Sequence, residues 1–560
     1  MGYAHDYAAA IMRRGRVAMP PADFVPDWAD SPRRTKLYPG ADTVPLPDGG
    51  YPADASLDRG LGPATGTGVP GGAFDLGALA GMLLDSYGLT GRRLGVQANT
   101  DLPALPRYPD ANWSRGTASG GGLYPVSVYW VSGPGGPLPP GVHYYATRRH
   151  ALQRLLAGDV SGEVRAALGE AAPGAADTDQ YLVLGVKYWQ NAFKYNSFSF
   201  HAVSMDVGTL LQTWRMWARA RGLDVEPLMW FDEERLARLL GLRTEEEGVF
   251  AVVPLRWDTA SVAPAPAAGV PSAPAPAGPG SVAGTAAAPA PAAPAPSAPA
   301  PAAVRRRDAE RSRTVLAFDA VTRMQAATAE HAARRPAPAR SPPPPRPRPG
   351  RPGDRAARAA PLGTDVRTAL RRRRSSFGRF EAARPVGRDQ LAACLKAAEA
   401  AARLGGDTGT DDTRLVGLYA FANHVEGLPP GAYAYDPAAH GLRPVTEGRP
   451  GAFLQRNYFL ANYNLEQAGA VLVPAVRTTA VLDAVGDRGY RVVNAAVGAV
   501  SQAVYTASSA MGLGCGVALG FDNIAYIEEL GLEGTGEAPL LIMMIGHERP
   551  APADYRYEIA

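Results

Sequence analysis

The chain has 560 residues, of which 46% are hydrophobic and 20% charged, and its formal net charge is +4. This balance is ordinary for a folded protein and gives no support to a nucleic-acid partner. Its only two cysteines, Cys394 and Cys515, argue against a disulfide framework and a cysteine-rich metal site. There is no apolar segment typical of a signal peptide and no run near the ~18 apolar residues of a membrane span, so we expect a cytoplasmic protein.

Several common catalytic motifs are missing. The eight histidines are scattered without metal-ligand spacing, and no G-x-S-x-G or Walker sequence occurs. We therefore expect no metal site and neither hydrolase nor NTPase chemistry. Residues 66–71 match G-x-G-x-x-G, but no strand precedes them and a proline interrupts them, so we reject a dinucleotide site.

The first half of the chain, residues 1–257, predicts helix, strands, long helix and strand. Apolar residues at the spacing of one helical face mark its two helices: Leu76, Leu79, Leu83, Leu84 and Tyr87, and then Val203, Val207, Leu210 and Trp214. Asp75 is the expected N-cap of the opening helix. The alternating run 124–133 and the apolar run 249–255 predict strands.

Two polar motifs interrupt this scaffold. Residues 119–122 read Ser-Gly-Gly-Gly before a strand, and three glycines let backbone amides approach a flat ligand, although an ordinary tight turn has the same pattern. Lys194 and Tyr195 stand just before the long helix. Such a pair can transfer protons in a buried site, although a Lys-Tyr dipeptide is more often a surface feature.

Residues 258–360 predict a connector. The part 262–301 is mostly alanine and proline, which cannot bury a core and favours an extended spacer. Residues 313–333 could form a marginal helix before a proline- and arginine-rich run resumes. We expect the connector to be disordered and long enough to let the two flanking halves meet face to face.

The second half, residues 361–560, repeats the order of the first. Its helices are marked by Leu391, Cys394, Leu395 and Ala398, and by Val493, Val497, Val500 and Val504. Asp389 is the expected cap of its opening helix, and the runs 414–423 and 539–546 predict strands. Residues 371–380 read RRRRSSFGRF. Arginine forks and serine hydroxyls suit a phosphate, but a solvated basic tail has the same composition.

The two halves are copies of one another. A shift of 290 residues, without gaps over more than a hundred positions, superimposes identical residues such as Tyr145/Tyr435, His150/His440, Gly208/Gly498, Gln212/Gln502, Phe231/Phe521, Asp232/Asp522 and Glu247/Glu537. The polar motifs do not repeat, since Ala484 and Val485 stand opposite Lys194 and Tyr195. The element order favours an α+β fold. The divergence is expected if both copies contribute to one active site.

Together these motifs resemble the nitroreductase-fold flavoenzymes, and among them the SagB-type thiazole/oxazole dehydrogenases of ribosomal peptide biosynthesis. The arginine–serine run resembles the start of that fold, and residues 119–125 resemble its flavin-contacting loop. Lys194 and Tyr195 resemble the pair that this branch uses in the oxidation step. The Gly-Leu pair that precedes Phe-Asp in each half resembles the late flavin-binding turn. The resemblance covers both halves but not the connector.

The family fold is an obligate dimer with FMN at its interface, so the resemblance implies two tandem nitroreductase-like domains forming an intramolecular pseudo-dimer. The second half would contribute Arg373, Ser375, Ser376, Arg379, Leu519, Gly520 and Arg549, the arginines and serines at the phosphate. The first half would contribute Ser119, Gly120, Gly121, Lys194 and Tyr195. The pseudo-symmetric second site lacks these motifs, and we expect it to be empty.

The implied activity is FMN-dependent oxidation of peptide thiazolines or oxazolines to thiazoles or oxazoles. An azoline-containing precursor peptide would be the substrate, a cyclodehydratase the partner and oxygen the oxidant of the reduced flavin. Lys194 would be the base or its activator, and Tyr195 would relay or orient. Two alternatives stay open: an NAD(P)H-dependent nitro- or quinone reductase of the same fold, and a non-catalytic peptide-docking scaffold. Whether the fused chain dimerises further is also open.

Overall fold

The computed structural model describes residues 2–52, 54–62, 71–95, 112–259, 302–336, 354–355, 357–376, 378–408, 414–550 and 554–558. The alanine- and proline-rich run 262–301 and most of the rejected glycine motif at 66–71 therefore lie outside the described residues. Within these ranges, no helix has both the length and the apolar character needed to cross a bilayer.

Each predicted helix and strand is present in the predicted order, among further elements that the sequence patterns did not predict. The helices are α1 (Tyr3–Arg13), α2 (Leu57–Gly60), α3 (Leu76–Tyr87), α4 (Ser161–Leu168), α5 (Trp189–Tyr195), α6 (Ser199–Ala220), α7 (Glu233–Leu240), α8 (Asp319–Ala329), α9 (Val366–Arg372), α10 (Arg388–Ala401), α11 (Gly451–Arg456), α12 (Thr478–Val485), α13 (Gly489–Ala510) and α14 (Asn523–Glu529). The strands are β1 (Thr43–Pro45), β2 (Gly91–Gly95), β3 (Asn112–Ser114), β4 (Val126–Ser132), β5 (Gly141–Ala146), β6 (Ala151–Ala157), β7 (Gln180–Lys187), β8 (Glu247–Pro254), β9 (Asp354–Arg355), β10 (Gly417–Ala422), β11 (Gly431–Asp436), β12 (Gly441–Glu447), β13 (Ala470–Val476), β14 (Gly514–Ala518), β15 (Ala538–Pro539), β16 (Ile542–Gly546) and β17 (Asp554–Glu558).

Each half forms its own antiparallel sheet. The first sheet has the order β1-β6-β5-β4-β7-β8, and the second contains the matching path β12-β11-β10-β13-β16, with β14 beyond β16. A third, small sheet has the order β17-β2-β3. The β5–β6 and β11–β12 pairs each shift register at the same repeat position, after Val142 and Ala432. The predicted α+β class is confirmed, because each half pairs antiparallel strands and packs helices beside them.

The long helices α6 and α13 cross where both carry a glycine. A methyl group on Gly208 would lie 1.9 Å from the Ala495 carbonyl oxygen, and one on Gly498 would lie 2.0 Å from the Met205 carbonyl oxygen. These contacts are reciprocal under the 290-residue shift, which pairs 208 with 498 and 205 with 495. A contact in which i meets j and j meets i is the geometry of a two-fold interface.

Smaller features repeat with the same spacing. His150 hydrogen-bonds Tyr145 at 2.9 Å, and His440 hydrogen-bonds Tyr435 at 2.7 Å. Both histidines have a positive φ, at 44° and 45°. Each histidine ring therefore fixes a turn between two strands at the same position of the repeat.

The helix caps were predicted with mixed success. Asp75 accepts a hydrogen bond from the Ala78 amide at 2.6 Å and caps α3 as expected. The expected cap Asp389 is wrong, because α10 begins at Arg388 and its N-cap is Gly387, two residues before Asp389, which lies in the first turn. The Gln390 side chain accepts from the Gly387 amide at 3.0 Å and so takes the capping role.

Part of the connector is ordered, which corrects the expectation of disorder throughout 258–360. Residues 302–336 pack on the first half and also contact the second, where Arg335 pairs with Asp407 at 3.1 Å, and they contain α8 within the predicted marginal helix 313–333. Lys187 pairs with Asp308 and Glu310, each at 2.5 Å, and Met324 is fully buried. The partners of this segment are distant in sequence, so its composition did not reveal them.

Candidate functional site

The glycine loop is held by one buried carboxylate from α6. The Ser119 hydroxyl donates to Asp206 at 2.6 Å, and the Gly120 amide donates to the other carboxylate oxygen at 2.8 Å. Ser119 Oγ also accepts from the Tyr124 amide at 2.9 Å. Gly121 has a φ of +62°, a left-handed conformation that favours glycine. The loop is therefore fixed from both ends.

Asp206 makes stability depend on pH in a definite direction. Burial raises the pKa of its carboxyl from 3.8 to about 7, against the hydrogen bonds from Ser119 and Gly120. The native state then binds the proton more tightly, so this contribution is full below pH 3.8 and is lost as pH rises through 7, at up to about 1.4 kcal/mol per pH unit. We expect the melting-temperature difference between wild type and Asp206→Asn to change over this interval. A difference independent of pH would contradict this assignment.

Lys194 and Tyr195 lie directly against the glycine loop. A methyl group on Gly121 would be 2.6 Å from the Tyr195 hydroxyl oxygen and 3.1 Å from Lys194 Nζ. Lys194 Nζ also lies 5.9 Å from the centre of the Trp28 ring. The next residue, Asn196, has a φ of 41°, a strained conformation of the kind found beside functional groups. Burial, with a further contribution from Asp206, raises the pKa of Tyr195.

The arginine–serine run of the second half meets the same loop. Arg373, which is largely buried, donates to the carbonyls of Gly116 and Arg115 at 2.8 and 3.1 Å. Gln502 from α13 donates to the Gly116 carbonyl at 3.1 Å and accepts from the Ala118 amide at 3.0 Å. The guanidinium expected at a phosphate thus holds the base of the first half's glycine loop.

The two serines lie just beyond this contact. Ser375 hydrogen-bonds the Tyr505 hydroxyl at 3.0 Å, and the Ser376 amide donates to the Cys515 carbonyl at 2.9 Å. The Ser376 hydroxyl is buried and has no hydrogen-bond partner among the described residues. A buried hydroxyl in this position is suited to a ligand, because buried polar groups are rarely left unpaired.

Arg379 and Arg549 lie farther out, side by side. The Arg549 amide donates to the Arg379 carbonyl at 2.8 Å. Their guanidinium groups donate to backbone carbonyls, Arg379 to Pro550 at 2.6 Å and Arg549 to Phe380 at 3.3 Å. In this conformation their contacts are with the second half's own backbone, in contrast to those of Arg373.

The Leu519-Gly520 turn is covered by the N-terminal segment. Arg14, which follows α1, donates to the Leu519 carbonyl, and the Phe459 amide donates to the Gly520 carbonyl at 2.9 Å. The Arg14 guanidinium also lies 5.0 Å from the centre of the Phe198 ring, three residues after Tyr195. These contacts connect the turn with the Lys-Tyr region.

Two residues near the site were missed from the sequence. Arg14 follows an amphipathic N-terminal helix, and that basic end was the one signal available. Tyr463 lies in an aromatic-rich run and is buried, with a ring carbon 2.6 Å from the position of a methyl group on Gly516. Burial raises its pKa, and Tyr505 and Tyr195 add to the effect, so Tyr463 is near groups from both halves.

The position that the 290-residue repeat relates to this site contains different side chains. Glu233, which aligns with Asn523, pairs with Arg488 at 2.8 Å and with Arg491 at 3.0 Å, and all three are buried. Helix α8 contributes to this cluster, because Gln325 and Thr328 hydrogen-bond Arg491 at 2.8 and 2.9 Å. A cleft of about 550 Å³ beside it is lined by acidic residues and His331, among others; the acidic residues are Asp232, Glu233, Glu234 and Glu245.

Comparison with known proteins agrees with this architecture. Residues 370–547 match the Nitroreductase family. A Methanocaldococcus jannaschii protein named as a nitroreductase is 31% identical over 139 residues, which cover 23% of this chain and 64% of that protein, under two thirds of its length.

Solved structures show the same fold. The crystal structure of a protein from Anabaena variabilis named as a nitroreductase aligns with 98% of this chain and 100% of its own, with a TM-score of 0.70 and 21% identity. The E. coli microcin synthetase McbBCD complex aligns over 32% of this chain and 70% of its own, with 17% identity and a TM-score of 0.27, which carries no functional argument. The chain therefore has a nitroreductase fold, and its residues 370–547 carry the pattern of the Nitroreductase family.

Proposed function

We propose that this protein is an FMN-dependent dehydrogenase that oxidises peptide thiazolines or oxazolines to thiazoles or oxazoles. The observation that carries the proposal is the contact of Gly121 with Tyr195 and Lys194. It joins a loop suited to a flat ring with a pair suited to proton transfer. Arg373 from the second half reaches the base of the same loop at Gly116, which supports one composite site in an intramolecular pseudo-dimer of domains 1–257 and 361–560.

The residues present fit FMN. The buried Ser376 hydroxyl lacks a partner among the described residues, and with Ser375 it is the donor set that a phosphate needs. Arg373, Arg379 and Arg549 would supply positive charge to that phosphate. Ser119, Gly120 and Gly121 would bind the flavin ring together with Leu519 and Gly520. When bound, FMN supplies the hydride acceptor for ring oxidation.

The chain's own residues would handle the proton. Converting an azoline to an azole removes one proton and one hydride from the ring. Lys194 takes the proton at its Nζ, and the Tyr195 hydroxyl orients the ring or relays the proton. The raised pKa of Tyr195 keeps the hydroxyl protonated at neutral pH, so it acts as a hydrogen-bond donor.

We further propose one FMN per chain. At the pseudo-equivalent position lie α8 and the Glu233–Arg488–Arg491 cluster, and the adjoining cleft is lined by four acidic side chains. Clustered carboxylates disfavour a phosphate through like-charge repulsion. The partners that the proposal implies are an azoline-containing precursor peptide and a cyclodehydratase.

The proposed roles predict that Lys194→Ala and Tyr195→Phe lose azole formation by at least about 100-fold, because general acid–base groups contribute that much. Bound flavin, measured from the visible spectrum, should stay. The measurement is the two-dalton mass loss of a synthetic thiazoline-containing peptide with the purified enzyme. Lys396→Ala, an exposed lysine of α10, is the matched control and should behave as wild type. Wild-type rates of azole formation in both the Lys194 and the Tyr195 variant would contradict these roles.

The family match equally favours an NAD(P)H-dependent nitro- or quinone reductase. Steady NADPH oxidation with a nitroaromatic acceptor, together with no reaction on the thiazoline peptide, would establish that alternative. A colourless purified protein that does not take up added FMN would instead favour the scaffold alternative.

A further inference from the structure

The first observation concerns how Arg14 is placed. Its guanidinium donates to the Leu519 carbonyl and to the Asn523 side-chain oxygen, the latter at 2.7 Å, and also to the Ile11 carbonyl at 2.7 Å. All three acceptors are neutral. In the described part of the chain, no carboxylate lies within salt-bridge distance of Arg14.

The nearby acidic side chain is engaged elsewhere. Asp522 caps α14 by accepting from the Ile524 and Ala525 amides at 3.0 and 3.2 Å, and Arg16 pairs with it at 3.4 Å. Asp522 therefore acts on Arg14 only as a more distant charge. The positive charge of Arg14 is left largely uncompensated beside the Leu519 turn.

At the equivalent position beside Phe231 of the first half, the arginine is neutralised by a carboxylate. Arg488 lies 4.6 Å from the centre of the Phe231 ring, and Glu233 neutralises it at 2.8 Å. Arg14 lies 5.9 Å from the equivalent ring, Phe521, but the residue that aligns with Glu233 is Asn523. A guanidinium is thus present at both positions, while the carboxylate is present at only one.

Arg14 is charged at neutral pH, whereas His201 is neutral. Burial lowers the pKa of Arg14 to about 10, so the group stays protonated at neutral pH. His201 has its pKa lowered to about 3 by burial and by Arg14, so it is neutral. Arg14 is therefore the cation that the Leu519 turn contacts.

We propose that Arg14 is a positioning and electrostatic residue that stabilises negative charge on the reduced flavin. The proposal rests on the proposed flavin site at Leu519 and Gly520. A fixed positive charge beside the ring favours its reduced state, because the reduced ring carries more negative charge. Asn523 is uncharged and leaves the charge of Arg14 available. At the equivalent position of the first half, Glu233 neutralises Arg488.

The test is the two-electron midpoint potential of the bound flavin, measured by dye equilibration on the purified holoprotein. We expect Arg14→Gln to shift the potential to more negative values by at least about 30 mV, a tenfold change in the equilibrium between oxidised and reduced flavin. Arg14→Lys keeps the charge and should recover most of the wild-type value. Arg16→Gln removes an exposed charge two residues away and should leave the potential unchanged.

The outcomes separate this inference from the proposed function. A wild-type potential in Arg14→Gln, with or without a lower melting temperature, means a purely structural role and overturns the inference while the flavin site stands. Equal shifts in Arg14→Gln and Arg14→Lys also overturn it, because geometry rather than charge would then decide the potential. If the wild-type protein binds no flavin, the proposed function itself fails.

Discussion

Gly208→Val is expected to destabilise the protein by about 3 kcal/mol or more. The added methyl group would lie 1.9 Å from a backbone oxygen of α13, and neither helix can move away without disturbing the core between the two halves. Gly498→Val should have a similar effect, because it makes the reciprocal contact. Differential scanning calorimetry measures both changes, at roughly 2–4 °C per kcal/mol for domains of this size.

Gly162→Ala is the matched control for these helix glycines. Gly162 lies in α4, and nothing lies within 4 Å of a methyl group placed on it. Alanine is the better helix former, so the variant should be as stable as wild type or slightly more stable. A Gly208→Val protein as stable as Gly162→Ala would show that α6 and α13 do not cross as described.

Glu233→Ala is the second change with a large expected effect, a loss of about 3–5 kcal/mol. The substitution leaves Arg488 and Arg491 buried without their carboxylate, and it removes the partner of the Gln325 amide, which donates to Glu233 at 2.8 Å. The residual buried charges, rather than the lost ion pairs, account for most of this cost. Thermal unfolding of the variant at neutral pH measures it.

Its neighbour provides the control. Glu234 is exposed and pairs with Arg238 on the surface of α7, so Glu234→Ala should change stability by less than about 1 kcal/mol.

The stabilisation by Glu233 should also depend on pH. Burial alone would raise the pKa of Glu233, but Arg491 and Arg488 outweigh it and hold the pKa below its ordinary value. Its contribution is therefore present above pH 4.5 and lost on acidification below that value. Equal effects of the two substitutions would contradict the buried cluster.

The repeat made the fold predictable from the sequence. The long helices and the strand predictions 124–133 and 249–255 could be checked against counterparts 290 residues away, and the stripes of α6 and α13 are long enough to be unambiguous. Local sequence patterns identified the glycine loop and the Lys-Tyr pair. Their contact with each other was expected only from the resemblance to the family. The cap of α10 was misplaced because Asp389 and Gly387 are both acceptable N-caps.

The parts that could not be predicted depend on distant partners. Residues 302–336 resemble a linker in average composition, and their order comes from contacts with residues such as Lys187 that lie more than a hundred positions away. Arg14 has no motif around it, and its position depends on Leu519 and Asn523. Arg373 was expected at a phosphate because of its chemical type, and its hydrogen bonds to the Gly116 and Arg115 carbonyls could not be predicted from local sequence.

The ratio of flavin to chain in the purified protein tests the central claim most directly. In the proposed site the two halves contribute different groups, and the equivalent position contains α8 and three buried ionic side chains. After saturation with FMN and removal of free ligand, the visible absorbance and the protein concentration should give one FMN per chain. Two FMN per chain, or none after saturation, would contradict a single composite site.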